Sequence, residues 1–205
     1  MKPYFLTILA LSALLFMSCN PSKKQEDNNS AETMETEAPK GNSIDLKQNG
    51  DYSTLFHATD DNCPLLTVTE IENALSLSSG SVELGDSPCV YIITLDDGSK
   101  SPLSIRVGKL TGTTATNAIE SYLKDNTGIL SAVISETGDS YLCTHRSRGS
   151  LTIYNINYDT YINMNFSTMV FAAAHKKDNI TVTPGKIVRE NAVKVANQLL
   201  KKYKK

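Results

Sequence analysis

Tryptophan is absent from the 205 residues, histidine occurs three times and cysteine four times. The chain has no Gly-x-Ser-x-Gly elbow, no phosphate-binding P-loop, no His-Glu-x-x-His and no Gly-x-Gly-x-x-Gly. The short signatures of hydrolase, nucleotide or zinc-protease chemistry are therefore missing. Charge of one sign is also missing in bulk: the net charge is −2, which argues against a dedicated nucleic-acid binder. With 40% hydrophobic residues, 7 Pro and 11 Gly, the chain is too apolar to be wholly disordered and too poor in Pro and Gly to be fibrous. Phe5–Met17 is an uncharged run of thirteen residues, whereas a bilayer-spanning helix needs about 20.

That run, preceded by Lys2, fits the apolar region of a secretory leader. It ends in Phe16-Met17-Ser18-Cys19. A small residue directly before Cys resembles a bacterial lipobox, in the relaxed form of bacteroidetes-type lipoproteins. The resemblance implies cleavage after Ser18, so that residues 1–18 are the leader, and lipidation of Cys19. Several acyl chains there would hold the protein stably at a membrane, at about 0.8 kcal/mol per buried CH₂. The alternative is an ordinary leader with a chance Cys. Asn20, rather than Asp, follows the Cys; by resemblance to Gram-negative sorting rules this implies the outer membrane of the cell envelope.

Residues 20–43 contain no Val, Ile, Leu, Phe, Tyr or Trp. Such a segment cannot bury enough apolar surface to offset its ordering entropy. It is expected to be a tether, about 80 Å long when fully stretched. Residues 44–61 are transitional, with Leu55-Phe56 able to dock on the body. The division expected is 1–18 leader, 19–61 lipidated Cys and flexible tether, and 62–205 a single domain of ordinary size. Loss of Lys2 takes the net charge to −3, and it is uneven: residues 176–205 hold nine Lys or Arg and two Asp or Glu, a balance of +7. The basic end could touch anionic lipid; the simpler reading is a solvated helix face with cations suited to its C-terminus.

Three helices are expected. Thr67-Val68-Thr69-Glu70 reads as a capping box, with Leu66 and Ile71 as its hydrophobic staple. Ala115, Ala118, Ile119, Tyr122 and Leu123 mark a helix over 115–125. Thr183-Pro184 opens a third, to Tyr203, faced by Val188, Ala192, Val195, Leu199 and Tyr203. Strands are expected near 89–95, 103–110, 132–136, 140–146, 151–158 and 160–171, with Asp96-Asp97-Gly98, Gly138 and Gly149 at turns. Ile162, Met164 and Phe166 alternate with Tyr161, Asn163 and Asn165, the pattern of a half-buried antiparallel strand. The fold class expected is α+β: an antiparallel sheet of about six strands packed with three helices in a two-layer sandwich.

Export places Cys63, Cys89 and Cys143 in an oxidising compartment. Three single bridges are possible; Cys63–Cys89, pinning the first helix to the first strand, is preferred. Cys63-Pro64-Leu65-Leu66-Thr67-Val68-Thr69-Glu70-Ile71 resembles the Cys-x-Leu-Leu-Thr-x-x-Glu-Ile start of small cell-envelope lipoprotein domains of unknown function. Cys89 before a strand, Gly138-Asp139 before another and the apolar face of Ala192–Leu199 extend the resemblance. It implies an α+β sandwich of the PsbP-like group and no general catalytic assignment.

Two constellations remain. Cys143 and His145 stand two apart on one strand and so share a face. They would suit a thiol–imidazole pair, as in an envelope hydrolase or thiol-dependent enzyme, or a soft metal. Two ligands are too few for structural zinc, and a buried thiol beside a surface His is the simpler reading. His57 and His175 have no evident partner. Asp60-Asp61-Asn62 reads as a polar lead-in to a helix rather than a Ca²⁺ site. The second constellation is Tyr161, Asn163 and Asn165, joined by Asn155 and Asn157 from the preceding strand. Tyr and Asn on a rigid sheet suit glycan or protein binding; the alternative is a solvated sheet face. The expected function is a membrane-anchored, non-enzymatic binding or interaction module with an envelope protein or glycan as partner and no cofactor, metal or nucleic acid.

Overall fold

A computed structural model describes residues 44, 50–87, 89–176 and 178–205. The leader, Cys19 and the tether up to residue 43 lie outside the described residues, as do residues 45–49. The fold is α+β. Its centre is a seven-stranded antiparallel sheet: β1 (Val82–Leu84), β2 (Val90–Thr94), β3 (Lys100–Lys109), β4 (Leu130–Ile134), β5 (Tyr141–His145), β6 (Ser150–Tyr154) and β7 (Thr160–Asn165). The spatial order is β1-β2-β3-β7-β6-β5-β4. Among the described residues five α-helices accompany it: α1 (Ser53–Phe56), α2 (Val68–Leu75), α3 (Ala115–Leu123), α4 (Thr168–Ala174) and α5 (Gly185–Tyr203).

The elements differ from expectation in several places. The sheet has seven strands, not six, because the three-residue β1 pairs with β2 at the sheet edge. Among the described residues there are five α-helices rather than three, α1 and α4 being additional. The strand expected to run to Phe171 ends at Asn165, and the rest of that segment coils into α4. Residues ahead of 62 join the body, as Leu55-Phe56 were expected to: Tyr52, Leu55 and Phe56 are completely buried. Leu55 and Phe56 are too apolar to stay on a tether beside an available core.

Helices cover both faces of the sheet, not one. The first face carries Tyr91, Ile93, Leu103, Ile105, Leu142, Leu151, Ile153, Ile162 and Met164. It packs on α1, α2 and the stripe Val188–Ala192–Val195–Leu199 of α5 to form the main core. Fully burying each Leu or Ile contributes about 1.5–3 kcal/mol. On the second face Ile119 of α3 packs with Tyr141 and Cys143 in a smaller cluster, while α4 lies over β3.

Local chemistry explains the element ends. Thr67 accepts from the Glu70 N–H at 3.2 Å and Glu70 accepts from the Thr67 N–H at 2.7 Å, closing the capping box. Lys202 of α5 then reaches the same carboxylate at 2.8 Å, tying α5 to the start of α2. Burial alone would raise the Glu70 carboxyl, but Lys202 and the Thr67 N–H outweigh it and hold the group below its ordinary range. Pro102 is tolerated inside β3 because its missing N–H points away from β2, at a position beyond the last β7 partner. Gly98, at φ +76°, supplies the left-handed turn between β2 and β3. Among the described residues no helix is long and apolar enough to cross a membrane.

Candidate functional site

Period-two alternation puts Tyr161, Asn163 and Asn165 on the second face, opposite Ile162 and Met164. The register sets Gly108 beside Tyr161, Arg106 and Thr152 beside Asn163, and Ser104 and Ser150 beside Asn165. Asn163 Nδ2 donates to Thr152 Oγ1 at 3.4 Å. Asn165 Oδ1 accepts from the Ser167 N–H at 3.0 Å and so shapes the turn into α4. Arg106 is exposed in the middle of this row.

Three tyrosines continue the face toward α3. Tyr122 and Tyr154 have ring centroids 6.4 Å apart, and Tyr154 and Tyr161 6.0 Å apart. Burial, helped by the neighbouring Tyr122 and Cys143, pushes the Tyr154 hydroxyl up to about 12. The Tyr161 ring lies on Gly108, where a Cβ would overlap it; glycine is required here by close approach rather than by backbone angle.

Asn155 and Asn157 do not join this face. β6 ends at Tyr154, and Asn155 has the parity of Leu151 and Ile153, so it turns inward. It is fully buried and donates to the Asp139 carbonyl at 3.0 Å and to Ser140 Oγ at 3.2 Å. The Asn157 N–H donates to Asn155 Oδ1 at 3.0 Å. Both lie past the end of β6, in the turn before β7, Asn155 buried and Asn157 exposed.

Under α4 the second face hollows into a cavity of about 450 Å³, within the usual range for small-molecule sites. Val90, Pro102, Ser104 and Asn165 form its floor, and Val170 and Phe171 its roof. The helix above it is unusual. Apart from Thr168 it has only apolar side chains, yet Phe171 alone is buried, and Met169 and Val170 are 81% and 69% exposed. A helix apolar on all sides is normally buried. The β5–β6 turn reaches the same cavity through Arg148.

The thiol–imidazole pair is also on this face but is built differently. Cys143 is 0% exposed and packs against Ile119, Tyr141 and their neighbours. Burial pushes its thiol up to about 12, the reverse of what a nucleophilic thiolate needs. His145 Nδ1 accepts from the Arg148 N–H at 3.2 Å, an interaction within the turn. Alkylation at pH 8 is therefore expected to leave Cys143 unmodified in the folded protein and to modify it on unfolding, as read by mass spectrometry; rapid modification of the native chain would contradict this environment. Cys63 and Cys89 lie at disulfide distance, with Cα atoms 5.3 Å apart. Among the described residues no three His, Cys, Asp or Glu side chains converge to hold a metal ion.

The alternation along β7 signals Tyr161, Asn163 and Asn165. Arg106, Thr152, Ser104 and α4 escape a reading by local pattern, because only strand pairing brings them together. No protein-family model matches the chain, and comparisons with curated proteins and with solved structures return no match.

Proposed function

We propose that the protein is a non-enzymatic binding module of the bacterial cell envelope, anchored at the outer membrane by lipid on Cys19, related to the small envelope lipoprotein domains its Cys63–Ile71 segment resembles. Its ligand engages the second face of the sheet, between α3 and α4, at Tyr161, Asn163 and Asn165. The observation that carries this reading is the cavity beneath α4, roofed by apolar side chains that the fold leaves uncovered. The tyrosines supply flat apolar area at low entropic cost, and the amides and Arg106 supply directional hydrogen bonds. On the first face, by contrast, α1, α2 and α5 pack against the sheet as the main core.

The test is capture of envelope glycans and proteins by the intact protein and by a Tyr161→Ala, Asn163→Ala, Asn165→Ala variant of unchanged thermal stability. Partners bound by the parent are expected to be released by the variant. If every captured partner stayed bound, the second face would not be the site.

A further inference from the structure

Beside the cavity under α4 lies a second, smaller pocket of about 110 Å³. The exposed Arg146 and Arg148 of the β5–β6 turn and the half-buried Arg189 in the first turns of α5 line it. Ser147, Ser167 and Thr168 add hydroxyls. Among the described residues, none of the three arginines takes part in an ion pair. Three arginines and no acid line this one concavity, which makes it a cationic surface suited to an anion.

The position of Arg189 sharpens the point. Its Nη1 lies 3.9 Å from where a Cβ on Gly185 would be, so the side chain folds back over the start of its own helix. α5 begins without a side-chain cap and without an acid in its first turn. The helix macrodipole is positive there and disfavours a cation. An anion in the pocket turns this arrangement from unfavourable to favourable, and the planar arginine fork suits phosphate oxygens in particular.

The two pockets are continuous in chemistry: Arg148 and Ser167 line both. One end is cationic, the other is apolar, and the exposed Met169 and Val170 border them. We propose that this paired pocket binds a single-chain amphiphile with a phosphate head, the phosphate among Arg146, Arg148 and Arg189 and the acyl chain in the cavity beneath α4. The inference rests on the reading of the second face as a ligand site and adds the class of ligand.

The experiment uses the secreted full-length chain carrying Cys19→Ser, which has no acyl groups of its own and needs no detergent. Calorimetric titration compares dodecyl phosphate, inorganic phosphate and dodecyl maltoside below their micelle concentrations. Dodecyl phosphate is expected to bind one to one, and each of the other two at least roughly tenfold more weakly, since each lacks one half of the recognition. Arg146→Gln with Arg189→Gln is expected to weaken dodecyl phosphate roughly 100-fold, as loss of two charge-assisted contacts should. Ala174→Trp, which fills the cavity, is expected to weaken dodecyl phosphate but not inorganic phosphate. Arg189→Gln alone should be at least as heat-stable as the parent without ligand, so lost binding there is not lost folding.

Equal affinity for dodecyl phosphate and inorganic phosphate would overturn the acyl half, and equal affinity for dodecyl phosphate and dodecyl maltoside the arginine half. Absence of saturable binding would overturn the ligand class altogether. In that case the second-face reading still stands if the Tyr161, Asn163 and Asn165 variant releases its captured partners, and falls with it if they stay bound.

Discussion

Replacing Asp139 by alanine is expected to cost about 3 kcal/mol of folding stability, a large fraction of a small protein's margin. Asp139 is 3% exposed and gathers the two ends of the described chain. Tyr52 Oη donates to its Oδ1 at 2.9 Å, Thr137 Oγ1 to the same oxygen at 2.7 Å, and Lys204 Nζ pairs with Oδ2 at 3.0 Å. Burial, together with the Asp139 carboxylate, raises the Tyr52 hydroxyl well above its ordinary value, so it remains a donor. Removing the carboxylate strands that buried hydroxyl and releases the Lys204 ammonium. Lys204 is about one-third exposed, so water recovers part of its loss, which keeps the figure below that of a fully buried pair. Asp139→Asn keeps an acceptor for Tyr52 and is expected to lose about half as much. Urea unfolding of both variants measures this; an Asp139→Ala midpoint equal to the parent's would show that the clasp contributes nothing net.

Opening the Cys63–Cys89 bridge is expected to cost about 3–4 kcal/mol. The loop it closes spans 26 residues, and loop-closure entropy of the unfolded chain gives that magnitude. The bridge does not act alone at this corner. Tyr91 Oη donates to the Leu66 carbonyl at 2.6 Å, so the segment before α2 stays attached to β2 after reduction. The reduced protein should therefore fold, with a lower denaturation midpoint rather than an unfolded baseline. The comparison is chemical denaturation of the parent and of Cys63→Ser, Cys89→Ser; identical midpoints would mean that the pair does not constrain the unfolded chain.

How much of this was readable from the residues varies by element. The capping box of α2 was legible because Thr67 and Glu70 satisfy orphan N–H groups within four residues, whatever the rest of the fold does. The alternation along β7 was legible for the same local reason. α4 was not. Thr168–Ala174 has no charge and no polar stripe, so no helical periodicity sets it apart from the strand before it. β1 was too short to announce itself, and its pairing with β2 defines it. Asn155 stands an even number of residues from Leu151 and Ile153 and so shares their inward face, although its polar side chain suggests the solvated one. Arg146, Arg148 and Arg189 are some 40 residues apart in two groups. Only the placement of α5's first turn beside the β5–β6 hairpin makes them one pocket.

The claim that the second face is the working face has a direct test in amide hydrogen exchange. The full lipidated chain would be compared in native envelope vesicles and after extraction. Slower exchange is expected in the vesicles across β7 and α4, with α5's core-facing turns unchanged. Equal exchange of β7 and α4 in the two states, or protection confined to the α2–α5 side, would contradict it.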